Sequence, residues 1–253
     1  MRPDGGARRR TASTAAVVAS VTPLTPRMTR IRLTGHGLHG IGATPGQTVK
    51  LLVPGPDTGA PVSRDYTVRG YDDAAATMDI DFVLHGDGPA ATWARRAEAG
   101  QTLEFVGPSG RYWPDPTADW LLFVGDETAM PAMLAMVESL PEHARAYLYL
   151  EVADAAEEQP VGTAARPDVR WLHRGDADPG TSTVLEDAVQ EAALPPGHGR
   201  IWVAGHTPTV HRIRAHLLEA RGIDRRDLYV RGFWGTVSPA RRSRPTRAVG
   251  SGR

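Results

Sequence analysis

The chain has 253 residues, a formal net charge of zero and no cysteine. Because single domains commonly hold about 100–200 residues, this length suits one large domain or two smaller ones. The neutral charge gives no general attraction to nucleic acid or to an anionic membrane, and the lack of cysteine excludes disulfides, thiolate nucleophiles and cysteine-ligated metal sites within the chain.

Both ends of the chain are poor in apolar residues. Residues 1–13 and 239–253 are rich in Arg, Gly, Ser and Pro, so we expect disordered tails there. No stretch approaches the ~18 apolar residues of a membrane helix, and the apolar run at 15–19 is too short for the core of a secretory signal. We therefore expect a cytoplasmic protein without membrane insertion, and a monomer.

Six short stretches in the first half of the chain have the pattern of β-strands separated by turns. They lie at 15–21, 28–34, 47–53, 63–69, 77–84 and 101–106. In the fifth stretch Met78, Ile80 and Phe82 alternate with polar residues, as in a strand with one buried face. Short strands at this spacing predict an antiparallel β-barrel, which we assign to residues 14–115.

The fourth predicted strand, 63–69, is unusually polar for a barrel. Alternation sends Arg64 and Tyr66 to one face of the strand and Asp65 and Thr67 to the other. Arginine offers a fork of donors to phosphate oxygens, and tyrosine can stack on a flat ring. The strand therefore favours a ligand that carries both groups, although an edge strand with Arg64 and Asp65 in solvent has the same pattern.

A glycine-rich turn follows the fifth strand, from His85 to Gly88, and Pro89 then stands at the first position of a short Ala-rich helix. The free N–H groups at a helix start favour an anion such as pyrophosphate. A segment that merely connects two strands would have the same sequence pattern.

From residue 116 onwards strands alternate with helices, which predicts a parallel sheet covered by helices on both faces. The strands are predicted at 120–124, 144–152, 169–173, 200–206 and 228–234, and the helices at 129–140, 182–193 and 208–221. We assign this α/β domain to 116–238. Two strands end at Gly125 and Gly205, where the backbone can approach a dinucleotide closely, or simply turn into a helix.

The order of these motifs resembles the siderophore-interacting protein family. The resemblance rests on Arg-Asp-Tyr-Thr at 64–67, His-Gly-Asp-Gly-Pro-Ala at 85–90, Gly-Asp-Glu-Thr-Ala-Met-Pro-Ala at 125–132, Glu-Val-Ala-Asp at 151–154, Trp-Val-Ala-Gly at 202–205 and Gly-Phe-Trp at 232–234. Members are flavin-dependent ferric-siderophore reductases of the ferredoxin–NADP reductase-like superfamily. The resemblance implies an FAD-binding barrel followed by a nucleotide-binding α/β domain, with NADPH or NADH as electron donor and a ferric siderophore as substrate.

The resemblance also implies roles for residues of the barrel. Arg64 would pair with the FAD phosphate, Tyr66 would pack against the flavin and Thr67 would hydrogen-bond near the ring edge. The segment 85–93 would hold the pyrophosphate and the adenine side. The implied cofactor-binding residues of this half are Arg64, Asp65, Tyr66, Thr67, Asp81, Val83, His85, Gly88, Pro89, Ala90, Ala91, Thr92 and Trp93.

For the second half, the resemblance places one group of residues over the flavin and another beside the nicotinamide nucleotide. Trp234 would cover the ring or the cofactor entry, or else close the core as a buried aromatic. The residues implied over the flavin are Asp126, Thr128 and Ala129, and those implied beside the nucleotide are Glu151, Gly205 and His206.

Two positions depart from the family pattern, and both lie in the nucleotide half. His206 stands where the family usually has Glu, and Gly235 follows Gly-Phe-Trp where the family commonly has a basic residue after Gly-Tyr-Trp. The choice between NADH and NADPH therefore stays open.

Electron transfer through a flavin needs no protein nucleophile or general acid, so we assign no catalytic side chain and no metal site. Arg111 and Arg231 are candidates for attracting an anionic ferric siderophore to the mouth of the cleft. Two other functions fit the same motifs: an FAD-dependent oxidoreductase with another acceptor, and a non-catalytic flavin- or siderophore-binding protein whose nucleotide site has decayed.

Overall fold

The computed structural model of the protein describes residues 13–44, 46–55, 60–110, 114–115 and 117–235. The predicted tails fall outside these ranges, except for Ser13, and so does Arg111. None of the helices in the described part of the chain combines the length and the apolar character that crossing a membrane requires.

The first half folds into seven antiparallel strands. These are β1 (Thr14–Thr25), β2 (Met28–Thr34), β3 (Thr48–Pro54), β4 (Pro61–Thr67), β5 (Gly70–Asp72), β6 (Thr77–Val83) and β7 (Thr102–Ser109), in the sheet order β4-β3-β7-β1-β2-β6-β5. The sheet rolls up around an apolar core, so that Tyr66 of β4 reaches Phe82 of β6 with ring centroids 4.3 Å apart. The predicted antiparallel barrel is confirmed.

Two local features of this sheet differ from the sequence prediction. The segment Gly70–Asp72, which reads as a turn, pairs with β6 as a short strand. The first strand continues through Pro23 to Thr25 instead of turning there. Proline lacks an N–H, and this position tolerates it because β7 pairs with β1 only over Thr14–Val17, so that of the described strands β2 alone pairs with β1 at Pro23.

Between β6 and β7 the chain forms α1 (Pro89–Ala94), with the proline at the start of the helix as predicted. Ala90, Ala91 and Ala94 are buried, and their small side chains let the helix lie close against the strands. The turn before α1 is thereby held at one end of the rolled sheet.

The second half is a five-stranded parallel sheet with helices on both faces. Its strands are β8 (Trp120–Asp126), β9 (Ala146–Val152), β10 (Asp168–His173), β11 (Gly199–His206) and β12 (Leu228–Trp234), and its helices are α2 (Met130–Glu138), α3 (Val184–Gln190) and α4 (Thr207–Ala215), which continues into a π-turn at His216–Ala220. The sheet order is β10-β9-β8-β11-β12. The predicted α/β architecture is confirmed.

Helix α2 lies between the two halves and is apolar all round. Every residue from Met130 to Val137 is buried, because the parallel sheet covers one side and the barrel covers the other. Met28 of β2 belongs to the same apolar cluster, and Met136 touches the loop at Gly46, where an added Cβ would lie 2.9 Å from the methionine Cγ. Residues of both halves therefore meet in the apolar cluster around α2, which is separate from the cluster inside the barrel.

A chain of ion pairs also joins the halves. Asp81, whose side chain is fully buried on β6, accepts two hydrogen bonds from Arg30 at 2.7 and 2.8 Å and lies 3.6 Å from Arg69. Arg69 in turn donates two hydrogen bonds, of 2.5 and 2.6 Å, to Glu138 at the end of α2. Paired geometry of this kind fixes direction as well as distance, so it orients α2 relative to the barrel.

We expect Glu138→Gln to lower the free energy of unfolding by about 1.5–3 kcal/mol, because it removes a charged partner from a guanidinium that is only 12% exposed. The matched control is Asp79→Asn, which breaks the same two-bond geometry with Arg32, a side chain that is 50% exposed. An exposed pair contributes less than about 1 kcal/mol. Urea unfolding of both variants measures the difference, and equal losses would contradict a role for Glu138 in joining the halves.

Candidate functional site

A crevice with a cavity of about 400 Å³ opens where the barrel meets the parallel sheet. The barrel contributes β4, the end of β6 and the turn into α1, and the second half contributes the loop before α2 and the end of β12. Its walls are lined by Thr48, Arg64, Asp65, Tyr66, Thr67, Asp81, Val83, His85, Gly86, Gly88, Pro89, Ala90, Ala91, Thr128, Pro131, Arg231, Gly232, Phe233 and Trp234.

Strand β4 supplies an aromatic ring and a guanidinium to the crevice. Burial raises the pKa of Tyr66 to about 12, so this side chain is a neutral phenol at physiological pH. Arg64 donates a hydrogen bond to the carbonyl of Ser63, and among the described residues it forms no ion pair. Its remaining donors can therefore bind an anionic ligand such as a phosphate group.

Asp65 lies between two cations at the mouth of the crevice. Its carboxylate is 2.7 Å from Lys50 of β3 and 3.7 Å from Arg231 of β12. Arg64 is the neighbouring residue in sequence. The described part of the mouth therefore holds three cations and one anion, and the local field favours an anionic ligand.

Asp81 also borders the crevice, but its carboxylate is already paired with Arg30 and Arg69. The structure therefore gives this predicted site residue a part in joining the two halves.

The turn from His85 to Gly88 and the start of α1 form one end of the crevice. A Cβ added at Gly88 would meet nothing within 4 Å, so space is open in front of the backbone there. Thr92 and Trp93 are not on the wall, and the Trp93 ring packs against Phe82 with centroids 5.6 Å apart. This arrangement leaves the beginning of α1, and not its second turn, facing the cavity.

Asp126 lies just behind the wall that is formed by the second half. It lies at the end of β8 and is 5% exposed, and both of its carboxylate oxygens accept hydrogen bonds from within the protein. Ala129 is fully buried at the start of α2. Of the three residues expected over the flavin, Thr128 alone lines the crevice.

The carboxyl ends of β8, β9 and β10 meet at a buried charge cluster. Arg174 contacts Glu127 closely and lies 3.9 Å from Glu151. Burial, followed by the charge of Asp126, raises the pKa of Glu151 to about 7. Burial also raises the pKa of Glu127, against the opposing effect of Arg174. Two carboxylates thus share one guanidinium beyond the edge of the sheet.

Gly205 and His206 lie behind Trp234 and do not reach the crevice wall. Nδ1 of His206 is 3.1 Å from the hydroxyl of Thr209, and its ring is 4.5 Å from the Trp234 ring. Burial lowers the pKa of His206 below that of a free imidazole. His206 is therefore a neutral imidazole at physiological pH.

The structure brings most of the predicted cofactor-binding residues to a single crevice. Those that do not line it are Thr92, Trp93, Asp126, Ala129, Glu151, Gly205 and His206. Lining residues that the sequence reasoning did not name individually as cofactor-binding are Thr48, Gly86, Pro131, Gly232 and Phe233. Four of these five lie inside the motifs that carry the family resemblance, which was a usable signal, whereas Thr48 comes from β3 and had none.

Two family models match this chain. The model described as siderophore-interacting FAD-binding domain matches residues 56–112, and the model described as siderophore-interacting protein matches residues 118–236. The matches divide the chain between the barrel and the parallel sheet. They confirm both the predicted family and FAD as its cofactor.

Individual relatives agree with this assignment. The ferric vibriobactin reductase of Vibrio cholerae is 33% identical over 230 residues, covering 81% of this chain and 83% of the relative. A siderophore utilization protein from T. fusca has 37% sequence identity and a TM-score of 0.82, covering 88% of this chain and 92% of that chain. A ferredoxin NADP+ reductase from Neisseria gonorrhoeae shares the fold at 17% identity, with a TM-score of 0.66 over 88% of this chain and 99% of that chain.

The raised pKa of Glu151 predicts a pH dependence of stability. An acid whose pKa is higher in the folded state binds more protons there, so the free energy of unfolding falls as the pH rises from the ordinary glutamate value to about 7. We expect Glu151→Gln to flatten this decline, so that the variant gains stability relative to the parent between about pH 5 and about pH 8. Urea unfolding of both proteins across that pH range measures this difference in the free energy of unfolding. A difference that stays constant with pH would contradict the prediction.

Proposed function

The chain belongs to the siderophore-interacting protein family, and we propose that it is a flavin-dependent reductase that uses NADH or NADPH to reduce ferric siderophores. Reduction would release the iron, because Fe(II) is a weaker partner than Fe(III) for hard oxygen chelators. The observation that carries this proposal is the crevice between the halves, which combines a neutral phenol, an open helix start and an arginine without an ion pair in the described part of the chain.

These residues fit FAD in both of its parts. The guanidinium of Arg64 and the backbone beginning at Gly88 suit phosphate oxygens, while Tyr66 and Trp234 offer flat apolar surface to a ring system. Both kinds of group line the same cavity: Arg64, Tyr66 and Gly88 belong to the barrel, and Trp234 belongs to the second half. The fit requires no movement of the backbone to expose them.

Bound FAD supplies the redox chemistry, since a flavin accepts a hydride from a nicotinamide and passes single electrons to an acceptor. The residues of this chain bind, orient and shield. Thr128 and Pro131 close the crevice from the side of α2, and Trp234 closes it at the end of β12. If a flavin ring binds there, these side chains would shield it from water.

The mouth of the crevice supports an anionic substrate. Lys50 and Arg231 flank the carboxylate of Asp65, and Arg64 is the neighbouring residue on β4, so the local charge is positive although the chain as a whole is neutral. Many ferric chelates with oxygen ligands carry negative charge, and such a mouth concentrates them near the flavin site.

The activity is tested with the purified protein under anaerobic conditions. We expect a yellow protein whose colour bleaches on addition of NADH or NADPH and returns on addition of a ferric siderophore, with Fe(II) trapped by a ferrous chelator. Catecholate and hydroxamate chelates should be compared with a quinone and with free flavin as acceptors. Colour without bleaching would instead support a flavin-binding protein, and bleaching with transfer only to the quinone would support another oxidoreductase.

We expect Arg64→Ala to raise the Kd for FAD about 10- to 150-fold, because it removes a charge-assisted contact worth about 1.5–3 kcal/mol. The control is Arg226→Ala, which removes an exposed arginine paired with Asp224 beyond the opposite end of β12. Fluorescence titration of the FAD-free proteins measures both affinities. FAD binding by Arg64→Ala that equals the parent's would remove Arg64 from the phosphate site.

A further inference from the structure

The indole of Trp234 is held in place by contacts from both halves of the protein. Its Nε1–H donates a 2.8 Å hydrogen bond to Oδ2 of Asp126 at the end of β8. Its ring lies between His206, with centroids 4.5 Å apart, and His85 of the barrel, at 5.9 Å. The same ring borders the crevice, so its orientation defines part of the wall.

Asp126 is a buried junction that receives four hydrogen bonds. Oδ1 accepts from the backbone N–H and the hydroxyl of Thr128, at 2.9 and 2.5 Å, and Oδ2 accepts from the backbone N–H of His206 and the indole of Trp234, both at 2.8 Å. Three of these partners can only donate, whereas the hydroxyl of Thr128 can also accept. An amide could therefore turn its NH2 group toward that hydroxyl and keep its oxygen for Trp234, so the substitution that removes the acceptor of the indole is Asp126→Ala.

The backbone around this junction is shaped to admit the carboxylate. Gly205 has φ +130°, and a Cβ there would lie 2.5 Å from Oδ2 of Asp126. The main chain of Trp234 is fixed separately, because the hydroxyl of Thr207 donates to its carbonyl at 2.7 Å. With the main chain held, the bond to Asp126 acts on the direction of the ring.

We propose that Asp126 is a positioning residue for Trp234: its carboxylate holds the indole against the crevice and thereby sets the aromatic surface that a flavin ring meets there. Asp126 does this without lining the crevice itself. The inference rests on the proposed function, since it concerns the same site. It differs from a purely local role, in which Asp126 would only cap the turn into α2 through Thr128.

The bond itself can be measured in the FAD-free protein by 15N–1H NMR of the tryptophan indoles. Trp234→Phe identifies the resonance, and Trp171→Phe, which removes an indole on β10, is the matched control for spectral change. We expect the Trp234 proton to exchange slowly with solvent in the parent and to shift upfield and exchange at least tenfold faster in Asp126→Ala. Exchange at the rate of a free indole in the parent would overturn the proposal, and this reading needs no Asp126 variant that folds.

The effect on the ring site is measured by the fluorescence of FAD at saturation, because a nearby indole quenches a flavin. We expect brighter bound FAD in Trp234→Phe, a change in the same direction in Asp126→Ala, and no further change when the two substitutions are combined. A purely local role would leave the fluorescence of Asp126→Ala at the parent value or would make the two changes additive. Either of those results would overturn the proposal.

These experiments distinguish the positioning role of Asp126 from the proposed function. A parent protein that binds no FAD would contradict the proposed function, and the indole resonance would still decide whether Asp126 holds Trp234. A parent that binds FAD, with an indole that exchanges freely, would refute the positioning role and leave the proposed function standing.

Discussion

The site depends on the two halves being kept in one relative position, and the ion pairs from Arg30 through Asp81 and Arg69 to Glu138 provide the directional part of that constraint. Apolar packing around α2 holds the halves together but is non-directional. Paired guanidinium–carboxylate bonds specify an angle. Since the barrel brings Arg64 and Tyr66 and the parallel sheet brings Thr128 and Trp234, the crevice exists only at that angle.

A second constraint acts at the edge of the parallel sheet. Ligands of such sheets bind where the strand order reverses, and here β8 and β11 are neighbours at that point. Asp126 and His206 fill this position with a hydrogen bond of their own. The acids Glu127 and Glu151 lie on one side of it, and the aromatic end of β12 lies on the other. The edge therefore has a charged part and an aromatic part.

The architecture and much of the crevice could be predicted from the sequence, because short local patterns determine both. Alternation in β6, the proline that starts α1 and the motif on β4 can each be read within a few residues. Contacts between distant residues could not be read in this way. Nothing near Arg69 indicates Glu138, 69 positions later, and nothing near Asp126 indicates that its carboxylate turns inward to Trp234. Side-chain direction at a strand end depends on which elements pack around it.

Helix α2 has one more consequence, which concerns whether the second half can be produced, or can evolve, without the barrel. Because α2 has apolar side chains on every face, the second half expressed without the barrel would expose one apolar side of this helix, a surface prone to self-association. The barrel precedes it in the chain and is already available as a cover. Gene rearrangements that separated the pair would produce an insoluble fragment, so the two halves are expected to travel together through evolution.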